Sequence, residues 1–151
     1  MNAILTLTTF TPMIGVAAIV VLRLLAGSAH EPSKEAARWI ALAATLATFA
    51  LSIVVVANFH PSLPGFQMTE DWAGFAGVNY RMGVDGISVL FVLLTGFLMP
   101  LCIVASWKSI DNRVLEYMVA FLILETLMIG VFTALDIFLF YGFFEGGLIP
   151  M

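Results

Sequence analysis

Residues 134–151 read ALDIFLFYGFFEGGLIPM. The stretch opens at a lone acid, Asp136, and runs through nearly unbroken apolar and aromatic side chains to Glu145. Nine helical steps of about 1.5 Å carry Glu145 about 13 Å beyond Asp136. With Asp136 at a membrane surface, Glu145 reaches the middle of a hydrocarbon core about 30 Å thick. A carboxylate at that depth costs at least about 3 kcal/mol on insertion scales. Two readings stand: an ion- or proton-exchanging site, or a protonated, hydrogen-bonded acid that joins helices.

The surroundings bear on that choice. Gly142 and Gly146 form a pair of small residues flanking Glu145, which lets another helix come close. Pro150 has no N–H, so the carbonyl of Gly146 is expected to lose its helical partner beside Glu145. A carboxyl group, a freed carbonyl and a kink together make a polar pocket inside a membrane. Glycine and proline are also ordinary packing residues in membrane helices.

The rest of the chain belongs to the same environment. It is 62% hydrophobic with 11% charged residues, the composition of the membrane class. A net charge of -4 and six scattered basic residues make no nucleic-acid patch. One cysteine, Cys102, supports neither an iron–sulfur cluster nor structural zinc, which need several ligands. His30 and His60 fall in expected connections between helices and read as surface residues, which disfavours paired haem ligation. No phosphate-binding glycine loop or nucleophile motif occurs. No cofactor is therefore expected in this chain.

The expected fold is all-α, a polytopic transmembrane bundle of about five helices. Hydropathy places them at 3–26, 36–59, 86–107, 114–135 and 136–151, the last incomplete. The first run lacks the basic start of a cleavable signal. Pro12 lies in its outer half and Arg23 is placed to snorkel at its end. Residues 27–35 read as a short polar link and 108–113 as a polar turn. Residues 60–85 form the one substantial extramembrane segment. Phe66, Met68, Glu70 and Trp72 alternate there as on one strand face, with 78–82 able to pair back across a turn at 73–77. A hairpin is one reading and a structured surface loop the other. Asp85 suits an N-cap for the third helix. Arg23, Lys34, Arg38, Lys108 and Arg113 lie on one side of the membrane and Arg81 alone on the other. By the positive-inside rule the 60–85 loop and the N-terminus face outward. The fifth helix ends without a flanking charge, so a single, truncated membrane domain of a longer protein is expected.

Three segments carry a family resemblance: YRMGVDGISVLFVLLTGFLMPL (80–101), SW (106–107) and EYMVAFLILETLMIGVFTALDIFLFYGFFEGGLIPM (116–151). They resemble the antiporter-like chain M of respiratory NADH:quinone oxidoreductase (complex I), the NADH dehydrogenase subunit 4 family, with alphaproteobacterial wording. The resemblance is specific from about residue 80 onward and weaker in the first two helices. It implies a fold of roughly fourteen helices, with two inverted five-helix repeats forming half-channels. This chain supplies three leading helices and the first part of one repeat. In the family the glutamate matching Glu145 translocates protons and pairs with a lysine on the seventh helix, beyond Met151. Some bacterial members carry a glutamate in the segment matching SWKSI, where this chain has Ser109.

The resemblance also implies the partners and cofactors. The partners are other membrane-arm subunits of complex I, including neighbouring antiporter-like chains, together with the lipid bilayer. FMN, iron–sulfur clusters and quinone are expected in other subunits. Glu125 matches no universal family position. It lies about nine residues from the end of helix four, at a depth like that of Glu145. Two such carboxyls on adjacent helices can share a proton, or Glu125 can stay neutral against a neighbour. Glu116 and Asp136 read as capping or interfacial charges. The competing functions are a subunit of a multisubunit cation/proton antiporter and a purely structural bundle.

Overall fold

The computed structural model describes residues 3–26, 30–75 and 78–151. Four helices are long and apolar enough to cross a membrane, and the fold is a polytopic helix bundle. They are α1 (Ile4–Ala26), α2 (His30–Asn58), α3 (Ser88–Ala105) and α4 (Val114–Thr133). A shorter apolar helix, α5 (Ile137–Leu148), follows α4 after three residues. Its 12 residues span about 18 Å.

One boundary differs clearly from the hydropathy pattern. Helix α2 starts at His30, not near residue 36, so Pro32 and Ser33 belong to its first turn instead of to a link. Proline is tolerated there because the first N–H groups of a helix have no intrahelical partner. His30 therefore begins a helix rather than lying in a connection. Residues 27–29 and the His30 side chain lie outside the described residues. His60 is exposed beyond the end of α2.

The interior is built around α4, which packs against α1, α2, α3 and α5. Its buried residues form a stripe at helical spacing: Val114, Met118, Leu122, Glu125, Ile129 and Thr133, with Thr126 and Gly130 beside it. Small residues set the crossings. A Cβ on Gly15 would lie 2.7 Å from Ala44 Cβ and 3.1 Å from Leu122, so α1, α2 and α4 meet there. A Cβ on Gly96 would lie 2.9 Å from Ser52 Oγ, bringing α3 onto α2. Several buried hydroxyls are bonded within their own helices: Thr48 to the Ala44 carbonyl, Ser52 to that of Phe49, Thr95 to that of Phe91. That satisfies each one without an interhelical partner. Outward-facing side chains are large and apolar, among them Ile14, Leu90 and Phe138.

Residues 60–85 are more than a loop. Strands β1 (Gln67–Phe75) and β2 (Val78–Val84) pair antiparallel, with Glu70 opposite Met82 and Trp72 opposite Tyr80. Strand pairing reaches Phe75 and Val78, so residues 73–75 of the expected turn belong to β1, and 76 and 77 lie outside the described residues. Between Gln67 and Glu70 the register slips, and Met68 takes a left-handed φ of 53°. Such a bulge re-aims the following side chains. Glu70 turns inward and is 3% exposed, whereas Trp72 on the same strand is 58% exposed.

The hairpin fastens two distant pieces of the bundle. The Glu70 carboxylate accepts from the backbone N–H groups of Leu5 at 2.7 Å and Thr6 at 3.1 Å, and from the Thr6 hydroxyl. It therefore caps the N-terminus of α1, where N–H groups and the helix dipole favour an anion. On the other strand, the Leu135 N–H donates to the Arg81 carbonyl at 2.9 Å, and Met82 bridges to Ala134. Gly83 leaves room for Leu135, whose Cδ1 would sit 2.7 Å from an added Cβ. The α4–α5 corner thus docks on β2.

At the opposite end the charges cluster. Glu116 pairs with Arg113 at 2.6 Å and with Arg23 at 3.5 Å, while Arg38 donates to the Ile110 carbonyl at 2.7 Å. These contacts join α1, α2 and the α3–α4 turn.

Candidate functional site

Glu145 is carried by α5, a helix with no residue buried within this chain. Asp136 starts that helix, its Oδ1 accepting from the Phe138 N–H at 2.8 Å. One side of α5 lies on α4: Phe143 fills the space left by Gly130, and Gly146 faces Leu127 at 3.2 Å. The other side is open. Glu145 is exposed, Gly142 and Gly147 have nothing within 4 Å of an added Cβ, and Phe140 stacks on Phe144 at 6.1 Å. Of the two flanking glycines, only Gly146 is used for packing inside this chain. The Gly146 carbonyl is not free, either. It accepts from the Ile149 N–H at 3.2 Å, so a tightened last turn replaces the bond that Pro150 removes.

Glu125 occupies a different environment. It is 0% exposed within the α4 stripe, and neither carboxyl oxygen has a hydrogen-bond partner among the described residues. The adjacent Thr126, 3% exposed, also leaves its hydroxyl oxygen without one. The structure does not bring Glu125 and Glu145 together. Opposed pairs Gly130–Phe143 and Leu127–Gly146 set the α4–α5 register, and by it the two acids differ in level by about three residues, or roughly 4.5 Å. Glu125 faces the α1–α4 interior, whereas Glu145 faces away from α4's buried stripe. Glu116 lies in the ion-pair cluster and Asp136 at a helix cap, both at helix ends. Cys102 is half-buried in α3.

Sequence reading missed two polar groups. Glu70 looked like one member of an alternating strand, because its partners Leu5 and Thr6 lie 65 and 64 positions earlier. Thr126 drew no attention because a threonine in a membrane helix usually bonds its own backbone. Its neighbour in sequence, a charged residue in an apolar run, was the available signal.

Comparison with known proteins places the chain. A family model described as NADH-ubiquinone oxidoreductase chain 4, amino terminus, matches residues 34–135. The chain belongs to that family. It is 51% identical over its whole length to NADH-quinone oxidoreductase subunit M of Rhodobacter capsulatus, covering 29% of that protein. It is 47% identical over 76% of its length to NADH-ubiquinone oxidoreductase chain 4 of Arabidopsis thaliana, covering 23%. With subunit M of Rickettsia conorii the figure is 36% over 98%, covering 30%. The chain thus spans under a third of the length of the curated relatives it matches. In this chain 4 member the model-matched region includes Glu125 and ends ten residues before Glu145. The relatives aligned over the full chain extend through α5.

Proposed function

We propose that the chain forms the leading part of a proton-translocating membrane-arm subunit of NADH:quinone oxidoreductase. In this reading, NADH oxidation and quinone reduction occur on FMN, iron–sulfur clusters and quinone held by other subunits. The membrane arm couples them to proton pumping in the bacterial inner membrane, with the neighbouring antiporter-like chains as partners. Glu145 is the proton-exchanging residue of this chain.

One observation carries the reading. An ionisable side chain sits about 13 Å along an apolar helix and is exposed on its open side, where Gly142 and Gly147 leave room for a further helix. Intramembrane carboxyls facing a bundle interior mark ion and proton paths. The family relationship supports the same assignment, with a lysine on a later helix as the expected partner. The docking of the α4–α5 corner on β2 supports a fixed position for the start of α5.

The test uses the complete enzyme. Glu145→Gln keeps the size of the group but removes its titration. Expected outcomes are normal assembly, near-normal electron transfer to artificial acceptors, and proton pumping reduced about tenfold or more. Glu145→Asp should retain part of the activity. Structural glue reverses that order, because Gln can hydrogen-bond as a protonated Glu does, whereas Asp is too short. Full dye quenching in sealed vesicles of the Gln variant, at matched NADH turnover, would overturn the assignment.

A further inference from the structure

Glu125 is a buried acid that the reading above does not use and that, unlike Glu70, has no hydrogen-bond partner among the described residues. Gly15 packs on both Ala44 and Leu122, and Gly96 on Ser52. Counting along the antiparallel helices from these contacts sets Glu125 level with Pro12 on α1, Thr48 on α2 and Pro100 on α3, each within about one turn. Both prolines lie inside their helices. Proline has no N–H, so the Thr8 and Gly96 carbonyls lack their usual donors one turn nearer the hairpin. Thr8 and Gly96 are themselves buried.

Unbonded carboxyl and hydroxyl oxygens of Glu125 and Thr126 therefore lie together in the α1–α4 interior, with the Thr8 and Gly96 carbonyls, deprived of their usual helical donors, about one turn nearer the hairpin. Buried polar groups are almost always satisfied by protein or water, and an unpaired buried charge costs several kcal/mol. Glu125 and Thr126 find no partner among the described residues, and the hydroxyls of Thr48, Ser52 and Thr95 already donate within their own helices. Water, which both donates and accepts, fits this set. The charged residues of the surrounding helices are distant. Arg23, Lys34, Glu35 and Arg38 lie at the opposite end from the hairpin, α3 carries none, and Glu145 projects from α5.

We propose that Glu125, Thr126 and the Thr8 and Gly96 carbonyls form a hydrated proton-exchange site inside the α1–α4 bundle, separate from Glu145. The Glu125 O–H bond breaks as a water lone pair accepts the proton. The bond re-forms when a hydronium returns one, with Thr126 and the carbonyls ordering that water. The proposal takes the surrounding enzyme from the functional reading but does not require Glu145 to be its proton partner.

The experiment is infrared difference spectroscopy on the complete enzyme, wild type against Glu125→Gln. A carboxylic-acid carbonyl band should vanish in the variant, shift on transfer to D2O, and persist in Glu145→Gln. Thr126→Val, which removes the hydroxyl at nearly constant shape, should move the band without changing assembly. That arm remains informative if Glu125→Gln fails to assemble. A band that does not respond to D2O, or is unmoved by Thr126→Val, identifies a dry packing acid and overturns the proposal. Loss of pumping in Glu145→Gln with the Glu125 band intact leaves both proposals standing. Full pumping in Glu145→Gln with that band exchanging removes only the Glu145 assignment.

Discussion

The acids of this chain differ in what they meet, and this decides what each can do. Three of them meet helix N-termini at the hairpin end: Glu70 at α1, Asp85 at α3 and Asp136 at α5. In each case unpaired N–H groups and the helix dipole stabilise the carboxylate. Glu125 and Glu145, inside apolar helices, meet no such donors, which is why the proposals above rest on them. Asp85 and Asp136 are legible from the sequence because a cap adjoins its own helix. Glu70 is not, since nothing local announces a partner on the far side of α2. Glu70→Ala strands the Leu5 and Thr6 N–H groups, each unsatisfied buried donor costing about 1–3 kcal/mol. Glu70→Gln keeps one acceptor oxygen and should cost less. Hydrogen exchange at residues 5–7 of the intact complex should rise in the order wild type, Gln, Ala. Equal protection in all three variants would show that the cap contributes nothing.

At the level of elements, the start of α3 shows a reciprocal cap. Asp85 Oδ1 accepts from the Ser88 N–H at 2.6 Å and the Ile87 N–H at 3.1 Å, and the Asp85 N–H donates to Ser88 Oγ at 2.9 Å. The Ser88 backbone bond, then its side chain, holds the Asp85 carboxyl below the usual carboxylate range. A depressed folded value means the stabilisation is complete above about pH 4 and is lost as pH falls through that lower value. Protection at residues 87–91, corrected for intrinsic exchange, should therefore stay constant from neutral pH to about 5 and fall below about 4. Asp85→Ala should remove about 1 kcal/mol and abolish this pH dependence. Elements also show where sequence reading stops. Four spans and the polar 60–85 segment could be read from hydropathy, and Glu145's depth from counting residues. The inward face of α4 could not, because α4 is apolar on nearly all sides and periodicity has no contrast to act on. Nor could the bulge at Met68 that turns Glu70 inward, since it depends on pairing with β2.

Across the whole molecule, charge is sorted by end. Arg23, Arg38 and Arg113 gather with Glu116 and Asp111 at one end of the bundle, and Arg81, paired with Asp71, belongs to the hairpin at the other. The basic cluster includes the N-terminal turn of α4, where the dipole disfavours cations. Helix electrostatics therefore do not account for its location, whereas retention of Lys and Arg in the cytoplasm during insertion does. In the orientation that this rule proposes, the acid caps and the hairpin face the periplasm, with the N-terminus of α1 beside them. A single cysteine placed at Ser62, in a Cys102→Ser background, should react with an impermeant maleimide added to intact cells. One placed at Asn112 should react only after the membrane is opened. Glu145 lies about 13 Å along α5 from the corner docked on β2, which in the proposed reading is mid-membrane depth. Labelling at Asn112 but not Ser62 in intact cells would invert the proposed orientation.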